Sequence, residues 1–136
     1  MGRLLAIDFG EKRVGLALSD PTKIIAKPFK SITYTDHDDL LNKISLIVKD
    51  KNIEKIILGV PKGLKGQNTP QTNKVISFFN LIKDKNVIPI VMEDERFSSV
   101  SAKKSLILQN IKTGHNKGLI DETAAAIFLQ LYLDRK

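Results

Sequence analysis

Three separated acidic positions are the residues of this chain best suited to chemistry. They are Asp8 at the end of a short apolar run, the cluster Glu93–Glu95 after the segment VIPIV, and Asp121 near the head of the segment IDETAAAIFLQLY. Carboxylate oxygens are the ligands that Mg²⁺ prefers. A bound Mg²⁺ polarises a phosphodiester, generates hydroxide and stabilises the leaving oxygen. If these acids converge, the sequence predicts phosphoryl-transfer chemistry.

Each acid also has a structural interpretation. Asp8 could hydrogen-bond its own turn, as aspartates at strand ends do. Three adjacent acids repel one another, and strand alternation places Glu93 and Glu95 on one side and Asp94 on the other, so only some can face a shared site. Asp121 could be an N-terminal acid favoured by the helix dipole. The residues alone leave these alternatives open.

The elements that must position the acids follow from apolar periodicity. Strand patterns cover Leu4–Phe9, Val14–Ser19, Ile24–Tyr34, Ile53–Val60 and Val87–Met92. Helical spacing marks a segment from Leu40 to Val48 capped by Thr35 or Asp36, a segment containing Val75, Ile76, Phe79 and Ile82, and the stretches Ser101–Gln109 and about Asp121–Leu133.

This order predicts an α/β fold with a mixed five-stranded sheet. The first three strands are antiparallel, the later ones are parallel because helices connect them, and helices cover both faces. Pro28 favours an edge position for the third strand. Because sites gather at the carboxyl ends of strands, Asp8, the turn Gly59–Pro61 and the cluster Glu93–Glu95 are expected at one rim.

The last helix is expected to bring Asp121 to that rim. Asp121, Ala125, Phe128 and Tyr132 lie on one helical stripe. Phe128 should pack on the sheet, and the small residues Ala124–Ala126 should let the helix approach it closely. Asp121 would then lie near Asp8.

Composition narrows the functional class. The chain has 136 residues, which fits a single domain over 1–136, and no apolar run is long enough to span a membrane. It has no cysteine, and no signal peptide is evident, so we expect a cytoplasmic protein. The net charge of +7 favours a nucleic-acid partner, although a solvated lysine surface is an equal alternative.

Four segments together resemble the signature blocks of the YqgF/RuvX family: IDFGEKRVGLALSD, GVPKGLKG, DERFSS and IDETAAAIFLQ. The resemblance extends from Leu4 to Leu133. It implies a ribonuclease H-like fold related to the RuvC Holliday-junction resolvase. It also implies a cytoplasmic, metal-dependent nuclease, associated either with maturation of the 5′ end of pre-16S rRNA or with junction resolution.

The resemblance assigns roles to particular residues. Asp8, Glu95 and Asp121 match the catalytic acids that would bind Mg²⁺ (or Mn²⁺), while the residues themselves do not decide between Glu95 and Glu93. Arg13 and Arg96 match basic residues that we assign to phosphate contacts, since a guanidinium can clamp two oxygens. A structural ion pair is the alternative for Arg96.

Lysines beside these motifs complete the predicted interface. Lys12, Lys62 and Lys65 are candidate contacts to the nucleic-acid backbone, and solvated lysines are nearly as good an explanation. Lys65 occupies a place where relatives often carry an acid, and Ser98 and Ser99 stand where the family often has threonines. These departures affect the fine role of the loop and not the three acids.

The first functional hypothesis is therefore a Mg²⁺-dependent endonuclease acting on structured nucleic acid, in particular precursor rRNA. A resolvase of branched DNA, which should be a homodimer, is the alternative substrate class. A nucleic-acid-binding module without turnover is a second class. An ATP-binding protein of the actin type is disfavoured, because such proteins need far more chain. Monomer and homodimer both remain open.

Overall fold

The computed structural model describes residues 2–9, 13–60, 69–85, 88–94 and 117–135, with Asp94 and residues 117–121 described by their backbone alone. In chain order the elements are β1 (Arg3–Phe9), β2 (Arg13–Ser19), β3 (Ala26–Thr33), α1 (His37–Asp50), β4 (Ile53–Val60), α2 (Pro70–Lys85), β5 (Ile90–Asp94) and α3 (Lys117–Asp134). The helix expected over Ser101–Gln109 lies outside the described residues.

Two predicted boundaries were wrong for physical reasons. The third strand begins at Ala26 rather than Ile24, because the N–H groups of Ile24 and Ile25 donate to the Asp20 carboxylate, each at 2.8 Å. The last strand begins at Ile90 and ends at Asp94. Pro89 precedes it, and a proline has no N–H to donate to a strand ladder.

The five strands form one sheet in the order β3-β2-β1-β4-β5. β1 pairs antiparallel with β2, and β2 pairs antiparallel with β3. β4 is parallel to β1, and β5 is parallel to β4. The predicted mixed sheet is confirmed, and β3, which carries Pro28, is an edge strand as expected.

Large apolar side chains fill the face of the sheet that α1 and α2 cover. Leu5, Ile7 and Phe9 of β1 belong to this cluster, together with Leu40 and Ile44 of α1 and Phe78 of α2. Asp36 caps α1 by accepting the N–H of Asp39 at 2.8 Å. On α2 the fully buried aromatic residue is Phe78, while the expected Phe79 is only partly buried.

The opposite face is covered by α3 and contains smaller side chains. Its cluster includes Ala6, Ala17 and Ile57 from the sheet, and Ala125, Phe128, Leu129 and Tyr132 from α3. The predicted stripe along the last helix is thus confirmed for its three members with described side chains. Within the described part of the chain, no helix combines the length and apolar character needed to span a membrane.

Candidate active site

One row of residues crosses the whole sheet at the carboxyl end of β1. Asp8 pairs with Gly15, and Gly15 pairs with Ser31. On the other side, Ile7 pairs with Leu58, so the next step of the parallel register places Asp8 beside Gly59, which pairs with Glu93. From edge to edge the row therefore reads Ser31, Gly15, Asp8, Gly59, Glu93.

Asp8 lies on the face that α3 covers. Leu4 and Ala6 belong to the α3 cluster, and side chains alternate along a strand, so Asp8 points the same way. Asp8 is 4% exposed, and the residues beside it in the row are both glycines. Burying a carboxylate is costly unless it is paired or coordinates a metal. A carboxylate in this position is typical of a binding or catalytic group rather than of a surface turn.

Arg13 lies beside Asp8 on the same face. Since Asp8 pairs with Gly15, Arg13 is the diagonal neighbour of Asp8 on β2, and such neighbours have Cα atoms about 7–8 Å apart. The side chain of Arg13 is partly buried. A guanidinium at this position is within reach of a group bound near Asp8. The phosphate-contact role of Arg13 stays a prediction.

Glu93 shares the row and the face of Asp8, with two strand spacings, or about 10 Å, between their Cα atoms. Its carboxylate forms an ion pair with Arg135, just beyond the end of α3. This pair raises the pKa of Arg135. Glu93 thus already has a cationic partner that links β5 to α3. Glu95, the other candidate, lies outside the described residues.

Asp121 lies inside α3, not at its beginning. The helix starts at Lys117, so the interpretation of Asp121 as a residue that opens the helix was wrong. The end of the helix that carries Asp121 still lies at the expected rim, because the Glu122 carboxylate accepts a hydrogen bond from the Ser31 hydroxyl at 3.4 Å. Ser31 belongs to the row of Asp8. Partial burial raises the pKa of Glu122, and the hydrogen bond from Ser31 opposes that shift.

Polar contacts that the sequence interpretation missed fix α3 to the sheet. The side-chain carbonyl of Gln130 accepts the N–H of Ala26 at 2.9 Å, and its amide nitrogen donates to the carbonyl of Ile24 at 2.9 Å. The Lys55 ammonium donates to the Tyr132 hydroxyl at 2.8 Å. A signal was present, because Gln130 is a lone amide in the apolar run AAAIFLQLYL.

The remaining predicted site residues, Glu95, Arg96, Lys12, Lys62 and Lys65, lie outside the described part of the chain. Within that part, no three histidine, cysteine or acidic side chains are grouped closely enough to hold a metal ion. The Asp8 carboxylate nevertheless offers oxygen ligands of the kind that a hard cation prefers. The described geometry thus brings Asp8, Arg13 and the helix segment of Asp121 to one rim.

Strand order, helix placement and the buried strand-end carboxylate define a ribonuclease H-like α/β protein. Similarity to known proteins gives the narrower assignment. The family model described as "RuvX: Holliday junction resolvase" matches residues 2–135. The chain therefore belongs to the RuvX family.

Curated relatives with similar sequences carry one shared name, "Putative pre-16S rRNA nuclease". The protein from Desulforamulus reducens is 37% identical over 132 residues, covering 97% of this chain and 96% of the relative. The protein from Dictyoglomus turgidum is 39% identical, covering 97% and 94%. The protein from Clostridioides difficile is 37% identical, covering 99% and 96%. The chain is thus a member of a family whose curated relatives are named as nucleases.

Two solved structures of proteins that act on or bind Holliday junctions share this fold. RuvC from T. thermophilus, in complex with a Holliday junction substrate, matches with a TM-score of 0.62 at 10% identity, covering 99% of this chain and 95% of that chain. The fowlpox virus Holliday junction resolvase matches with a TM-score of 0.59 at 16% identity, covering 98% of each chain. At these identities the likeness establishes the fold alone, and it confirms the predicted ribonuclease H-like class.

Proposed function

We propose that this protein is a metal-dependent endonuclease that hydrolyses phosphodiester bonds in precursor rRNA, at the 5′ end of pre-16S rRNA. The observation that carries the proposal is the position of Asp8. It is a buried carboxylate at a strand end, with glycines on both sides and Arg13 diagonal to it. The name shared by the relatives supports the substrate class.

In this proposal Asp8, Glu95 and Asp121 hold Mg²⁺ (or Mn²⁺). When bound, such an ion polarises the phosphodiester and activates the attacking water. Asp8 supplies hard oxygen ligands from a strand held in the middle of the sheet, so its position is rigid. Glu95 is favoured over Glu93 as a ligand, because the Glu93 carboxylate is paired with Arg135.

The basic residues hold the nucleic acid in this proposal. Arg13 contacts a phosphate oxygen next to the cleaved bond, and Arg96, Lys12, Lys62 and Lys65 extend the contact along the backbone. Gly15 and Gly59 carry no side chains, so the neighbours of Asp8 in the row leave room for a metal ion and a phosphate group. We expect the protein to act in the cytoplasm.

The test is cleavage of precursor rRNA with Mg²⁺ or Mn²⁺ by the native protein and by Asp8→Asn. We expect the substitution to lower kcat roughly 10³-fold, because metal catalysis contributes several kcal/mol to transition-state stabilisation. Asp50→Asn is the matched control, since the Asp50 side chain is 76% exposed and pairs only with neighbouring Lys51 among the described residues. Cleavage that persists in Asp8→Asn would refute the site, and an inert native protein would refute the nuclease.

Resolution of branched DNA is the second candidate function. It is favoured by the description of the family model and by the two resolvase structures. A resolvase needs two sites related by symmetry, so it should be a homodimer. Two results would identify branched DNA as the substrate instead of RNA. They are preferential cleavage of a four-way junction over precursor rRNA and a dimeric mass in solution. A monomer that cleaves only RNA would exclude it.

A further inference from the structure

A cavity beside the connection between β2 and β3 lies apart from the candidate active site. It has a volume of about 220 Å³ and is lined by residues that include Arg3, Ile25, Lys27, Pro28 and Phe29. Binding sites for drug-sized ligands typically have volumes of about 300–1,000 Å³, so this cavity is suited to a smaller group. Ile25 is 52% exposed, which leaves an apolar side chain at the cavity without protein cover.

Cations converge on the aromatic wall of this cavity. The Lys30 ammonium lies 5.1 Å from the ring centroid of Phe29, and the Lys51 ammonium lies 5.6 Å from it. Lys27 and Arg3 line the cavity itself. Among the described residues, neither Lys27 nor Lys30 is within salt-bridge distance of a carboxylate. The wall is therefore apolar, and at its rim Lys27 and Lys30 are not paired with a described acid, whereas Lys51 is paired with Asp50.

One acid, Asp20, also lines the cavity, but its carboxylate is hydrogen-bonded within its own turn. Its carboxylate accepts the N–H groups of Thr22, Ile24 and Ile25 and the hydroxyl of Thr22. These hydrogen bonds lower the pKa of Asp20 strongly. The carboxylate is thus ionised and is held by hydrogen bonds within its own turn.

We propose that this cavity binds one nucleotide of a single-stranded nucleic acid, outside the cleavage centre. Single-stranded bases stack on aromatic side chains while lysines and arginines contact the backbone. Phe29 and Ile25 contact the base, and Lys27, Lys30 and Arg3 contact its phosphates. The proposal takes its ligand class from the proposed function, and it does not require that the protein cleave the strand.

The cavity and Asp8 can contact the same strand of nucleic acid. Phe29 lies on β3 close to Ser31, the residue that ends the row of Asp8. Strand spacings place the cavity roughly 15–20 Å from Asp8. Phe29 belongs to the α1 and α2 face, and Asp8 belongs to the α3 face, so the strand would pass around the β3 edge. The cavity would thereby hold the flank of a substrate whose cleaved bond lies at Asp8.

The test measures binding of a short labelled single-stranded RNA by fluorescence anisotropy in the Asp8→Asn background, where cleavage cannot interfere. The double variant Lys27→Gln/Lys30→Gln should weaken binding and reduce the slope of log Kd against log salt by about 1.4, since each phosphate contact to a single strand contributes about 0.7. The matched control is Lys83→Gln/Lys85→Gln, which removes two exposed lysines from α2 and should leave the slope unchanged.

Phe29→Leu tests the contact with the base separately from the contacts with the phosphates. It should weaken RNA binding at least about fivefold, the lower end of the effect of losing one stacked base, while binding of inorganic polyphosphate stays unchanged. The lysine variant should weaken binding of both probes. Thermal unfolding of each variant verifies that it is folded.

Equal effects of the two lysine pairs, or no effect of Phe29→Leu on RNA, would overturn the proposal. Aggregation of Lys27→Gln/Lys30→Gln with unchanged RNA affinity would also overturn it, because these lysines would then only protect the edge strand from pairing. If the native protein cleaves nothing but the cavity variants lose RNA binding, the proposed nuclease function fails and the cavity proposal stands.

Discussion

The two faces of the sheet differ in the size of their side chains and in what holds the helices on them. On the α1 and α2 face, large residues such as Ile7, Phe9 and Phe78 interlock. On the α3 face, the strands present Ala6 and Ala17, and the helix presents Ala124–Ala126. Small side chains permit a close approach, but they interlock weakly, so they do not by themselves fix how α3 is rotated.

Polar contacts fix the position of α3 on the sheet, which its small side chains do not fix by themselves. Gln130 bonds the backbone of the β2–β3 connection, Glu122 accepts from Ser31, and Arg135 pairs with Glu93. Single polar contacts commonly specify register at some cost in stability. We therefore expect the α1 and α2 face to provide most of the stability, and the polar contacts of the α3 face to fix the position of the helix that carries Asp121.

Phe78→Ala is the most direct test of whether the α1 and α2 face provides most of the stability. Phe78 is fully buried and contacts the rings of Phe9 and His37, with centroids 5.3 and 5.4 Å away. We expect a loss of about 3–5 kcal/mol in the free energy of unfolding, measured by urea denaturation. Mn²⁺ affinity of the folded fraction should not change. Leu46→Ala on α1 is the control, since Leu46 is 69% exposed and should cost less than about 0.5 kcal/mol.

Overpacking the α3 face should have a smaller effect on stability and a larger one on the site. Ala125 is fully buried, so Ala125→Leu should push α3 away from the sheet and cost about 1–3 kcal/mol. Because Asp121 lies on the same helix, Mn²⁺ affinity should fall as well, which titration by calorimetry would detect. Leu131→Ala, at a 56% exposed position of α3, should change neither quantity. Normal metal affinity in Ala125→Leu would show that helix position does not control the site.

The sequence predicted the α1 and α2 face more completely than the α3 face, because apolar packing holds the first face and polar contacts help to hold the second. Alternating and helical apolar patterns predict which residues are buried, and they correctly predicted the mixed sheet, its three antiparallel strands and later parallel strands, and the edge position of β3. The position of Asp8 at a strand end followed from the same pattern. The burial of Phe78 instead of Phe79 lies within the error of such patterns, because adjacent helical positions differ by only 100°.

What the sequence did not predict depends on long-range polar contacts. The start of α3 at Lys117 was not predicted. Nor were the Gln130 contacts to Ile24 and Ala26, which join residues that are far apart in the chain. Apolar periodicity carries no information about such pairs. The same holds for the cations around Phe29, since Lys51 reaches that ring from the end of α1.

Removal of the Gln130 contacts tests whether they position the helix. Gln130→Met keeps the length of the side chain but leaves the Ala26 N–H and the Ile24 carbonyl without this partner, at a cost of about 1 kcal/mol. We expect Mn²⁺ affinity and kcat to fall more than the loss of folded protein explains, with KM for RNA unchanged. A uniform loss that follows the folded fraction would instead indicate a purely structural role.

The smallest expected effect is a pH dependence located on the α1 and α2 face. Partial burial among Phe9, Tyr34 and Phe78 and the positive charge of Lys74 lower the pKa of His37, and Asp36 and Asp38 oppose the shift only in part. The unfolded chain therefore binds a proton more readily than the folded one. Stability should be full above the ordinary histidine pKa of about 6.5 and should decline as the pH falls below it.

His37→Phe should remove this decline, because a phenyl ring fits the aromatic cluster and does not titrate. The measurement is the difference in the free energy of unfolding between about pH 5 and about pH 7.5 for both proteins, which share the only other histidine, His115. A smaller difference in the variant supports the assignment. An equal difference would place the pH dependence on acids elsewhere, including those near Asp8, and would remove the evidence that the stabilising face also responds to pH.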